Sequence, residues 1–217
     1  MAQRSPTILL AALLAETILA SGADARNRPL QDSTPPPAPI VQASPTLAPF
    51  QHVRFCLRYP SDCKSDATDS DRIELTTDNL ELLNRVNRSV NTSIAPMQKN
   101  YGANLQDGWT IAPTTGDCND YAVTKRHELL QSGLPAKALR LSVVTTASGI
   151  GHLVLVIATT RGDLVLDNLT EAIRPWQSTD YRWLKIQSAT DARYWFEVKA
   201  PAVSLSQADR QLRLADR

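Results

Sequence analysis

Three observations predict an α+β domain with helices first and an antiparallel sheet after them. Leu80, Leu83, Val86, Val90 and Ile94 recur at helical spacing. A second helix-tolerant run, Tyr121 to Gln131, meets Gly133 and Pro135, the stop expected just past a helix end. Beyond Pro135 the chain turns to short runs of Val, Leu, Ile and Thr, the composition of strands.

The chain begins like an exported protein. Arg4 precedes an apolar run, Ile8 to Ala20, and Ala23-Asp24-Ala25 fits a small-x-small cleavage site, so residues 1–25 read as a signal peptide. The run is too short for a bilayer span, which needs about 20 apolar residues; an uncleaved N-terminal anchor is the alternative. Residues 26–50, rich in Pro, Ser, Thr and Ala and including Pro35-Pro36-Pro37, read as an extended linker. Residues 51–200 are of single-domain size, and 201–217 form a tail that is either a short helix or frayed. With 23 basic against 22 acidic residues and no basic run, nucleic acid is not an expected partner.

Three cysteines in an exported chain divide into a pair and a remainder. Cys56 and Cys63 flank a turn-forming Pro-Ser-Asp stretch and could close a short disulfide loop, leaving Cys118 free. A zinc site on His52, Cys56 and Cys63 competes, but lacks a fourth ligand at usual spacing. Residues 64–72 are acidic and polar, an irregular surface stretch. Asp78 and Glu81 then resemble a capping box, opening a helix over 79–95 that Pro96 limits. Its Asn87-Arg88-Ser89 and Asn91-Thr92-Ser93 match the glycosylation pattern, and mid-helix they read as chance matches. Residues 101–115, punctuated by Gly, Asn, Asp and Pro, make a loop of the kind that lines a cleft, with Trp109 as one lining candidate. Strands are expected over 138–146, 152–160, 163–167, 183–187 and 194–198.

The chemistry centres on Gly116-Asp117-Cys118-Asn119-Asp120-Tyr121-Ala122. Asp117 is a good N-cap, which puts Cys118 in the first helical turn, where backbone N–H groups and the positive end of the helix dipole favour thiolate. Asp117 and Asp120 oppose that, unless a cation or imidazolium offsets them. The competing reading of Cys118 is a buried small hydrophobe. Of the three histidines, His127 lies nine residues along the same helix, about 900° around and roughly 13 Å along, on the opposite face. His52 sits at the linker end, where a base would be poorly held. His152 remains, at a strand start after Gly149-Ile150-Gly151, as the base for a cysteine nucleophile.

Asp167, at the end of the returning strand, is the candidate to orient the imidazole, with Asn168 as the amide alternative. Register raises a difficulty. A two-residue turn on Arg161-Gly162 would set Asp167 opposite Val156, about 13 Å from His152. Either the turn lies earlier than the glycine suggests, or a bulge or twisted strand end closes the gap.

Gly116-Asp117-Cys118-Asn119-Asp120-Tyr121-Ala122, His152-Leu153-Val154-Leu155 and Leu166-Asp167-Asn168-Leu169, in that order, resemble the bacterial transglutaminase-like cysteine proteinases. Val86-Asn87-Arg88-Ser89-Val90-Asn91, Asp107-Gly108-Trp109 and the Phe55-Cys56 to Asp62-Cys63 segment resemble them too, so the likeness covers most of the domain. The resemblance implies a papain/transglutaminase-like fold and a Cys-His-Asp triad on Cys118, His152 and Asp167. It also implies calcium, with Asp117 and Asn119 as ligands. Asn119 stands where better-known members carry Glu, which should weaken that site. The function implied is a periplasmic or secreted cysteine peptidase acting on a protein substrate, a surface adhesin in some members, under an inner-membrane regulatory receptor. Acyl transfer to an amine, or a non-catalytic binding module of the same fold, are the alternatives.

Overall fold

One strand, Gly151–Thr159, buried from His152 to its end, organises the rest. The computed structural model describes residues 38–99 and 108–199. In chain order the elements are strand β1 (Gln42–Thr46), helix α1 (Phe50–Arg58), helix α2 (Thr77–Ser93), strands β2 (Ala95–Pro96) and β3 (Thr115–Gly116) and helix α3 (Cys118–Gln131). Six strands follow: β4 (Leu139–Thr145), β5 (Gly151–Thr159), β6 (Gly162–Leu166), β7 (Arg174–Pro175), β8 (Arg182–Gln187) and β9 (Trp195–Val198). Seven of the strands make one antiparallel sheet in the order β1-β9-β8-β4-β5-β6-β7, and β2 pairs with β3 in a separate parallel ribbon. This is the α+β architecture expected. The signal peptide and the tail expected at the two ends lie outside the described residues.

β5 is covered on both faces, and its alternation shows it. Leu153, Leu155 and Ile157 join a core with Leu83, Val86, Val90, Tyr121, Ala122 and Leu129 of the helices. Val154 and Val156 face a second core with Val144, Val165, Trp176 and Ile186. Strands buried on both sides read as near-continuous apolar runs, as these do. α3 ends as its sequence predicts: Gly133 takes φ 87°, its N–H bonds Leu130 O, and Leu134 N–H bonds Leu129 O, a Schellman closure.

Two boundaries differ from expectation. α2 is capped by Thr76, whose hydroxyl accepts from Asn79 N–H at 3.2 Å, and no capping box forms on Asp78. Leu80, expected in its apolar stripe, is exposed, while Leu83, Val86, Asn87 and Val90 are buried. The larger difference is at the N-terminus, where residues 40–50, expected in the linker, fold into the domain. β1 pairs with β9, Ile40 is buried, and its N–H donates to Asp163 Oδ2 at 2.8 Å, beside the buried Arg140–Asp163 ion pair at 2.7 Å. β1 carries no apolar pattern because an edge strand buries little: its three middle residues are exposed, and an edge tolerates Pro45.

Cys56 and Cys63 form a disulfide across seven residues, tying α1 to the turn that follows it. Their sulfurs are therefore not thiolate ligands, and the zinc alternative falls. His52 lies beside the disulfide but is not poorly held. It is buried, with Trp195 Nε1–H donating to Nδ1 at 3.2 Å and the Gln187 amide 2.9 Å from Nε2. Burial, then the charge of Arg126, lower its pKa to about 4.

Candidate active site

Cys118 is the first residue of α3, half-buried, and the one free cysteine. Its position is fixed by a reciprocal cap: Asp117 accepts from Asn119 N–H at 3.0 Å, while Asp120 Oδ2 accepts from Asp117 N–H at 2.9 Å. Asp120 packs so tightly under the turn that a Cβ at position 116 would lie 2.6 Å from its Oδ2. Only glycine fits there, which explains the Gly116-Asp117-Cys118 order. Asp120 is wholly buried, takes Lys99 Nζ at 2.7 Å and Thr110 N–H at 2.8 Å, and so does not confront the sulfur as a bare charge. Burial nonetheless pushes its carboxyl above the usual range, against the hydrogen bond from Lys99.

His152, near the start of β5, sits 2.8 Å through Nε2 from Asp167 Oδ1. The register difficulty resolves in a definite way. The turn occupies Thr160 and Arg161, one residue earlier than the glycine suggests, with Thr159 paired to Gly162 and Gly162 at φ 98°. Leu155 then pairs with Leu166, so one further step sets Asp167 opposite Val154. His152 lies one pleat away on the same face, the diagonal neighbour that a long side chain reaches. Asn168, the alternative orienter, lines the cleft instead.

The Asp167 carboxylate is gripped from several elements. Oδ1 also accepts from Leu169 N–H at 3.1 Å, Oδ2 accepts from the Tyr181 hydroxyl, and Asn91 Nδ2 on α2 donates to its backbone oxygen at 3.0 Å. Burial alone would lower the His152 pKa. The hydrogen bonds to Asp167 and Cys118, with the charges of both, outweigh it and raise the value to about 9. Asp167 is correspondingly held below the usual carboxylate range: burial works upward, and His152, Tyr181 and Leu169 N–H more than offset it.

Cys118 and His152 face a cleft of about 650 Å³ whose walls include the exposed Met97, Ile150 and Leu169. Trp109 does not line it; it is buried against His52 and Phe55. His127 is turned away, 2.9 Å from Asp62. Asp117 and Asn119 both line the cleft, with Asn119 Nδ2 donating to Asp117 Oδ1 at 3.1 Å.

Four residues that matter here have no site role in the sequence, two of them, Asn87 and Asn91, standing out there only as glycosylation-pattern matches and in the family-like segment. Asn87 and Asn91, one turn apart on α2, spend their amides on the loop after β6: Asn87 holds Glu171 O at 3.0 Å, and Asn91 holds Asp167 O. Asn87 falls in the apolar stripe, and a polar residue there was the available signal. Lys125, seven residues past Cys118 and thus on the same helix face, is fully buried, its Nζ without a hydrogen-bond partner among the described residues. Burial pulls its pKa down to about 7, against the charge of Asp167. Tyr181 carried no sequence signal at all.

A family model described as bacterial transglutaminase-like cysteine proteinase matches residues 42–202. Solved structures of Legionella pneumophila LapG resemble the chain. The calcium-bound form is 22% identical with a TM-score of 0.48, covering 65% of this chain and 82% of that one. The EGTA-treated form is 21% identical with a TM-score of 0.48, over 60% and 72% of the two chains. No curated protein matches.

Proposed function

We propose, from the premise that this chain belongs to the bacterial transglutaminase-like cysteine proteinase family, that it is an exported cysteine endopeptidase working through Cys118, His152 and Asp167. The observation that carries this is His152, hydrogen-bonded to Asp167 through Nε2 and lining the same cleft as Cys118 at the head of α3.

Because Nε2–H is given to the Asp167 carboxylate, Nδ1 is the ring nitrogen left for the sulfur. The thiolate of Cys118 attacks the peptide carbonyl, forming the C–S bond. His152, holding the thiol proton, delivers it to the leaving amine as the C–N bond breaks. Water then gives a proton to His152 and attacks the thioester, and the returning thiolate closes the cycle. Asp167 keeps the imidazole in one tautomer and stabilises its charged form. The Cys118 backbone N–H, at the first position of α3, supports the oxyanion.

Calcium enters as a ligand proposal only. Asp117 and Asn119 are oxygen-bearing neighbours at the cleft, which fits the cation's chemistry. Two ligands do not fill a shell of 6 to 8 oxygens, and Asn119 turns its NH₂ toward Asp117. The ion therefore requires a turn of the Asn119 amide and further oxygens, and no catalytic step is routed through it.

The substrate proposed is a protein chain in the periplasm, with a surface adhesin as the candidate and an inner-membrane receptor as regulator. The Cys56–Cys63 disulfide supports an oxidising compartment. The deciding experiment incubates the protein with an unfolded polypeptide and a lysine donor, read by mass spectrometry. Cleaved chains are expected; isopeptide product would make it an acyl transferase, and neither product would favour a non-catalytic binding module.

A further inference from the structure

Tyr181, just before β8, meets the Asp167 carboxylate beside His152 but through the other oxygen. Its hydroxyl donates to Oδ2, the oxygen that the imidazole leaves unused, and its ring lies 5.7 Å from the His152 ring. A carboxylate held through one oxygen can still swing about its last torsion. Asp167 is held through both: His152 Nε2 and Leu169 N–H occupy Oδ1, and Tyr181 occupies Oδ2. Removing one grip would leave Oδ2 without this partner in a residue only 3% exposed. The tyrosine ring itself is anchored, packed against the core that contains Val154, Val165 and Trp176.

We propose that Tyr181 is a positioning residue that fixes the plane of the Asp167 carboxylate and, through it, the aim of the His152 imidazole at Cys118. The inference rests on the peptidase reading. Burial and the bond to Asp167 raise the Tyr181 pKa, so the hydroxyl stays a donor throughout the working range. The role belongs to the hydroxyl alone, since the ring packing survives in phenylalanine.

The test is the rate at which iodoacetamide alkylates Cys118 in the full-length protein, with thermal midpoints recorded in parallel. Tyr181→Phe should slow alkylation about 10-fold, the scale of one hydrogen bond to a charged acceptor. In an Asp167→Ala background the same substitution should cost nothing further, because its route to the imidazole is already gone. Incorporating 3-fluorotyrosine at position 181, which restores a hydroxyl, should restore the rate. A wild-type rate in Tyr181→Phe, or an equal loss with and without Asp167, would overturn the proposal while His152→Ala remained slow. Should His152→Ala itself react like wild type, the peptidase reading falls first.

Discussion

Asp167 Oδ1 and His152 Nε2 lie 2.8 Å apart although their strands place them one pleat out of register. The contact depends on the turn falling at Thr160 and Arg161. Asp167→Ala should therefore leave the fold intact and cut peptide cleavage by roughly 10²- to 10⁴-fold, the range of general acid–base contributions. Steady-state cleavage of a peptide substrate checks this, with near-wild-type turnover as the contrary result.

The pH dependence of stability should show two opposed groups. His152 has a folded pKa of about 9 against 6.5, so its contribution is complete below pH 6.5 and is lost as pH rises through about 9. Lys125 runs the other way: with a folded pKa of about 7 against 10.5, its burial costs stability at low pH, and that cost disappears between about 7 and 10.5. Over pH 7 to 9 they offset each other. Lys125→Met should raise the urea midpoint at pH 6 and expose a decline from pH 6.5 to 9 that the wild type masks. Parallel profiles in the two proteins would contradict this.

Calcium affinity should respond to charge at position 119. Asn119→Asp restores a second carboxylate beside Asp117 and should shift the calcium concentration that raises the thermal midpoint downward by roughly 10-fold. A midpoint indifferent to calcium in both proteins would remove the proposed ligands.

The disulfide closes a short loop, for which chain entropy gives about 2.5 kcal/mol. Replacing Cys56 and Cys63 together with serine should lower unfolding free energy by about that amount, measured by urea denaturation, while the alkylation rate of Cys118 stays within about twofold. A matching collapse of reactivity would show that α1 supports the site more directly than its contacts suggest.

What the sequence made legible was whatever repeats or breaks a pattern. Strands β4, β5, β6, β8 and β9, the capped start of α3 and the Cys56–Cys63 pairing each carry local signals of apolar runs, N-cap chemistry or cysteine spacing, whereas the two-residue β7 carries none. β1 carries none, because its stability comes from pairing with β9 and from anchors such as Ile40 N–H to Asp163, 123 residues away. Asn91, Lys125 and Tyr181 act on Asp167 across 76, 42 and 14 residues of chain, a distance no spacing rule spans. The firm hold on His52 is invisible in the sequence for the same reason: its partners, Gln187 and Trp195, lie far along the chain.

The proposed chemistry requires the sulfur at the head of α3 to be made nucleophilic by the imidazole on β5. The direct measurement is the pH profile of iodoacetamide alkylation at Cys118 in wild type and His152→Ala. Reaction at neutral pH well above that of a free thiol, lost in the variant, is the expected result. Equal rates in the two proteins across the profile would contradict it.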